Sequence, residues 1–230
     1  MVNYCTWNPL SPGIHTYADG NLTAGVVQGT RNRWIMGTMG ISSGIYYWEQ
    51  TTTTISGSSQ VGLISEPIDG VEIGTGAFGL SYQNNSGAVQ YSGATIATLS
   101  TWTTNDVIGI LLDNTNGRLY FSKNDSWMDG SGGGASSATV LAEITGGTST
   151  SYAIPTFVGT VITDKTWIPS HQNPHSGTDT VTADFGQHDY VGTAPSNSSK
   201  LNTSALPAVT IENPSLHFSG IGYTGNGLGQ

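Results

Sequence analysis

Six successive apolar or glycine positions, Val107-Ile108-Gly109-Ile110-Leu111-Leu112, leave this chain little choice of architecture. A strand with one face in water must alternate. This run does not, so both of its faces have to be covered. It is too short for an ordinary helix, carries a glycine, and stops at Asp113-Asn114. Asn114-Thr115-Asn116-Gly117 is turn chemistry, because Asn and Gly tolerate positive φ. Leu119 and Phe121 then alternate with Arg118, Tyr120 and Ser122, the pattern of a half-exposed strand. The stretch is expected to be a hairpin in a two-layer structure, with its first strand near the centre.

Comparable runs recur along the 230 residues. Strands are expected at Ile45–Gln50, Val61–Ile64, Ala77–Tyr82, Ala88–Tyr91, Val107–Leu112, Gly117–Ser122, Thr139–Ile144, Tyr152–Gly159 and Thr180–Phe185, separated by Gly- and Asn-rich turns. No heptad, no 3.6-residue stripe and no long repeat is present, and 32 Gly with 9 Pro disfavour long helices. The fold class is all-β: a two-sheet antiparallel sandwich over residues 1–192, with a core at about 30–190. Residues 130–137 are expected to be a surface loop and 163–179 a long Pro- and His-bearing loop. Residues 193–230 form an extended C-terminal arm or linker. Its scattered apolar anchors (Leu201, Leu206, Val209, Ile211, Leu216, Phe218) must dock on the chain's own sandwich or on a neighbour.

The charge excludes several function classes. With net charge −9 and only six Lys and Arg, the chain has no basic footprint for phosphates, so nucleic acid is not an expected partner. Anionic membrane surfaces are disfavoured too, and no apolar run is long enough to span a bilayer. The N-terminal residues do not read as a signal peptide. Cys5 is the one cysteine, so no intrachain disulfide forms.

Candidate chemistry is sparse. Asp164, His171, His175 and Asp179 could surround a metal in a loop, although Pro174 argues against a helical His pair; surface polarity is the plainer reading. Glu66, Asp69 and Glu72 cluster at a turn but do not match an EF-hand. Glu49 is the tempting acid for glycoside chemistry, but no partner carboxylate is identifiable. No nucleophile elbow, phosphate loop or dinucleotide motif occurs. No cofactor and no catalytic residue is therefore expected, and the chain reads as a non-enzyme. Trp127 and Trp167, in expected loops, are the better candidates for an exposed aromatic contact than Trp48 or Trp102.

Several stretches together carry a resemblance. Ser43-Gly44-Ile45-Tyr46-Tyr47-Trp48-Glu49 with Val61-Gly62-Leu63 resembles the opening of a SPRY domain, and Asp106–Asp113 with Gly117–Asn124 resembles its most characteristic hairpin. Ile154–Gly159 and Ala183–Gln187 resemble its last strands. Trp7-Asn8-Pro9-Leu10, Ser42-Ser43-Gly44 and Asp184-Phe185-Gly186-Gln187, followed by Leu201-Asn202-Thr203-Ser204-Ala205-Leu206-Pro207, are similar to SPRY-like modules in structural proteins of tailed bacteriophages. The resemblance implies a concanavalin-like sandwich and a non-catalytic role in the virion, made in the host cytoplasm. The chain would be a capsid decoration, head fibre or tail-associated subunit, oligomeric in the particle and bound to other virion proteins. The alternative is a host-receptor or glycan-binding adhesion module of a tail fibre. The family's contacts come from loops at one edge, which by position points to Arg31, Arg33, Trp34, Asn124, Asp125, Trp127, Asp129, Trp167 and His171. Leu201, Leu206, Ile211, Leu216 and Phe218 would serve the assembly arm.

Overall fold

The computed structural model describes residues 2–27, 34–66, 71–147, 149–155, 160–175 and 177–207, with the backbone alone at 160 and 161. The strands are β1 (Thr16–Ala18), β2 (Thr23–Val27), β3 (Trp34–Met36), β4 (Ile45–Thr54), β5 (Gln60–Ile64), β6 (Gly79–Gln83), β7 (Ala88–Tyr91), β8 (Ala94–Thr98), β9 (Val107–Asp113), β10 (Arg118–Lys123), β11 (Ser126–Trp127), β12 (Ile168–Gln172) and β13 (Thr178–Asp184). Among the described residues, two α-helices, α1 (Ser137–Gly146) and α2 (Thr160–Thr163), and a 3-10 turn at Asp19–Asn21 interrupt them. The strands form a seven-stranded sheet, β1-β2-β13-β4-β9-β10-β11, and a six-stranded sheet, β3-β12-β5-β6-β7-β8. All strand pairings are antiparallel. The all-β sandwich is the architecture expected.

Period-two alternation sorts the side chains between faces. Tyr46 and Trp48 of β4, Ile108, Ile110 and Leu112 of β9, and Leu119 and Phe121 of β10 meet Ile35, Val61, Leu63, Leu80, Tyr82 and Val89 of the other sheet in the main core. The intervening residues of the same strands, Tyr47, Leu111 and Tyr120, form a second cluster with Trp127, Val140, Ile144 and Ala153. That cluster explains the continuous apolar run. β9 lies between β4 and β10, its inner face is covered by the opposite sheet, and its outer face is covered by α1. A Cβ at Gly109 would overlap the hydroxyls of Ser122 and Tyr47, so this position has room for glycine only.

Three expectations are corrected. Thr139–Ile144 is not a strand but the middle of α1. Ser136 caps the helix, its Oγ accepting from Thr139 N at 3.3 Å, and Gly147 ends it in the left-handed region. Val140 and Ile144, one helical turn apart, both reach the sheet. Second, β10 is not half-exposed: Arg118, Tyr120 and Ser122 are buried, because α1 and residues 149–153 cover that side. Third, the 163–179 segment is no continuous loop. Its centre is β12, a polar strand (Ile-Pro-Ser-His-Gln) between β3 and β5. Of the expected strand Tyr152–Gly159, residues 152–155 form bends and a turn, with Ile154 N donating to Leu119 O at 2.9 Å; 156–159 lie outside the described residues.

The described part of the C-terminal segment wraps its own sandwich. Ser199 N donates to Ile45 O at 2.8 Å, Leu201 N to Phe185 O at 3.0 Å, and Cys5 N to Leu201 O at 2.9 Å. Leu201 is fully buried and Leu206 packs against the main core. Ile211, Leu216 and Phe218 lie outside the described residues.

Candidate interaction surface

The hairpin β10–β11 turns through Asn124 and Asp125, both in the left-handed region (φ 49° and 65°), which Asn and Asp tolerate better than most residues. Asn124 Oδ1 accepts from Val107 N at 2.8 Å, and its Nδ2 donates to Asp106 Oδ1 at 2.7 Å. Asp125 accepts from Thr193 N at 2.7 Å, tying this turn to the chain leaving β13. Past β11, the Gly- and Ser-rich loop lies on the surface as expected, wrapped around one carboxylate. Asp129 accepts from Ser131 N (2.8 Å), Ser131 Oγ (2.6 Å) and Ala135 N (3.0 Å). Partial burial pushes its pKa up, but the amide of Ala135 and the Ser131 donors outweigh that, and the carboxyl sits below the usual aspartate value.

Between this loop and the end of β8 lies a cleft of about 470 Å³. Its floor and walls are Leu99, Trp127, Met128, Asp129 and Ala135, and its rim includes the exposed Ser100 and Ser126. Two residues expected from sequence, Trp127 and Asp129, line this cleft, and Asn124 and Asp125 form the turn that precedes it. The others do not join them. Arg31 and Arg33 lie outside the described residues. Trp34 is buried on the outer face of the six-stranded sheet with Ile64 and Ile73. Trp167 is fully buried and donates from Nε1 to Ile162 O at 2.9 Å. Trp127 is 3% exposed, with its ring 5.9 Å from that of Tyr47. The expectation that Trp127 and Trp167 are exposed is therefore corrected: each fills space against its own domain, which removes both as platforms for stacking a sugar.

His171 is corrected in the same way, because β12 carries it into the core. There its Nε2 lies 3.1 Å from Ser59 Oγ and 3.5 Å from Asp179 Oδ2, while Nδ1 lies 3.4 Å from Gln50 Oε1. A serine, a histidine and an aspartate side by side invite the question of nucleophilic catalysis. The arrangement fails it: hydroxyl and carboxylate address the same ring nitrogen, whereas a triad needs them on opposite nitrogens. All three side chains are also fully buried. The cluster instead joins the sheets, with Gln50 Nε2 donating to Ser170 O at 3.2 Å.

The proposed loop metal site is not assembled. His171 and Asp179 are in the core, whereas His175 and Asp164 are exposed. No group of three ligating side chains occurs among the described residues; Asp69 lies outside them. Glu49 is committed to structure, accepting from Tyr47 Oη at 2.8 Å, Val191 N at 2.9 Å and Gly192 N at 2.8 Å. A carboxylate so occupied anchors the 191–192 segment and has little capacity left for acid–base work.

Residues 45–140 match the SPRY domain family. The fold is that of a SPRY domain. The crystal structure of the SPRY domain of human HERC1 is similar with TM-score 0.58 and 18% identity, covering 80% of this chain and 99% of that one. The TRIM65 PSpry domain gives TM-score 0.55 and 15% identity over 81% of this chain and 93% of that one. The stonustoxin structure gives 0.53 and 14% over 79% of this chain but 27% of that one. Comparison with curated proteins returns no match.

The SPRY match covers residues 45–140, which leaves both terminal segments outside it. Those termini form one knot. The rings of Trp7 and Phe185 meet edge-to-face at 5.5 Å, and Gln187 Nε2 donates to Cys5 O at 2.6 Å. Thr203 N donates to Asn3 O at 2.9 Å. Segments far apart in the sequence are thus a single structural feature. No local signal reveals that contact, because its partners lie almost 200 positions apart.

Proposed function

We propose that the chain is a non-catalytic protein-binding module of a bacteriophage virion. It would bind another virion protein through the cleft between the Ser126–Ser137 segment and the end of β8. SPRY domains are generally protein-interaction modules, which supports the coarse part of this reading. The observation that carries it is the contrast between sites. Among the described residues, the Ser59–His171–Asp179 cluster is buried and Glu49 is occupied by three donors, whereas the cleft is open and lined by both apolar and polar groups. Placement on a virion rests on the sequence resemblance of the interlocked termini.

Two measurements test it. Antibody labelling of gently purified particles, viewed by electron microscopy, should decorate the head or tail; unlabelled particles would sink the virion role. A Ser100→Arg/Ser126→Arg variant places two bulky cations on the cleft rim while leaving the core untouched. It should keep the wild-type melting temperature and lose co-purification with the particle. Undiminished co-purification would mean that the cleft is not the binding surface.

A further inference from the structure

The ends of the two sheets differ in how their free backbone edges are protected. β1 has three residues and β11 two. β3 is covered by the N-terminal segment: Asn8 N donates to Met36 O at 2.8 Å, and Met36 N donates to Ser11 Oγ at 3.1 Å. β8 is different. It has five residues, Ala94-Thr95-Ile96-Ala97-Thr98, and pairs with β7 alone. Among the described residues, no backbone bond links it to any other segment. The register shift between Val89 and Gln90 lies in its inward ladder, on the β7 side.

A long free edge is normally blunted by charge or proline, because its unpaired N–H and C=O groups are a template for another strand. Here the opposite holds. From Ile73 to Asn105 the sequence contains no Asp, Glu, Lys, Arg, His or Pro. The β6–β7–β8 meander is therefore electrically neutral in a chain of net charge −9.

From this we propose that β8 is a self-association edge: two copies pair antiparallel through Ala94–Thr98 across a two-fold axis, joining their six-stranded sheets into one. A second copy is the occupant that the charge distribution favours. Two chains of net charge −9 repel over most approaches, and a neutral edge lets their backbones meet without placing like charges opposite each other. Self-pairing through one patch is the isologous contact that closes a dimer. The inference does not depend on the cleft or on a virion setting.

The test is sedimentation of the full-length protein across a concentration series, combined with amide hydrogen exchange. The wild type should form dimers in which the amides of 94–98 exchange more slowly than in dilute monomer. Added salt should tighten association by screening the net repulsion. Thr95→Lys, at an exposed position, should raise the dissociation constant at least about tenfold with the melting temperature unchanged, because it places two lysines diagonally across the dyad at Ile96. Thr95→Val, uncharged and strand-favouring, should still dimerise. A wild type monomeric throughout, or a dimer that Thr95→Lys does not weaken, overturns the proposal. So does a dimer whose 94–98 amides stay unprotected, or protection that arises only on a different partner protein.

Discussion

Arg118 illustrates how far a side chain's role can depart from its pattern. It occupies an alternating polar position, yet it is 2% exposed and its guanidinium pairs with the fully buried Asp113 through Nη2, with Nε also 3.0 Å from Asp113 Oδ2. Asp113 in turn accepts from Asn116 N at 2.8 Å, so one carboxylate both closes the β9–β10 turn and neutralises the cation beside it. Removing one member of such a pair strands a charge away from water. Arg118→Ala should therefore cost about 3–5 kcal/mol of stability, measured by urea denaturation, far more than the loss of a surface ion pair. The same reasoning explains what sequence reading missed at this scale. Trp127, Trp167 and His171 occur among polar, turn-forming neighbours, and nothing local distinguishes an aromatic that faces solvent from one folded back on its own sheet.

Among the elements, strands that announce themselves by apolar alternation were legible: β4, β5, β7, β9 and β13 all lie within a few residues of their expected positions. β12 was not, because its buried His171 and Gln172 are accommodated through partners supplied from elsewhere. Gln172 Oε1, for example, accepts from Ile73 N at 2.6 Å. α1 was mistaken for a strand because its β-branched residues suit both states; the serine cap and closing glycine decide between them. The helix is fastened by Glu143, whose carboxylate accepts from Tyr120 Oη at 2.8 Å, Tyr152 N at 2.9 Å and Ser151 N at 2.9 Å. Desolvation raises its pKa, but the Tyr152 amide and the other donors outweigh it, leaving it below the reference value of 4.5. A carboxyl whose folded pKa is depressed stabilises the fold above its unfolded pKa and loses that contribution as pH falls through the folded value. Wild-type stability should thus decline as pH drops below about 4.5, and Glu143→Gln should flatten that part of the profile in denaturation curves taken between about pH 3 and 6.

For the whole molecule, the sandwich was legible and the arm only partly so. The anchors Leu201 and Leu206 were visible as apolar residues in need of a surface; that the surface is the chain's own could not be read from them. A chain ending at Pro195 loses the bonds from Ser199 and Leu201 and the burial of Leu201, and should melt several degrees lower than one ending at Pro207. The seven-stranded sheet carries a further consequence, for synthesis. β13 lies between β2 and β4, so this sheet stays in two unconnected pieces until the chain has been translated past Asp184. On the ribosome, the facing edges of β2 and β4 wait unpaired for most of the elongation time. A nascent chain stalled before Thr178 would present two open seams to its neighbours, which makes late elongation the window in which this domain most needs a chaperone.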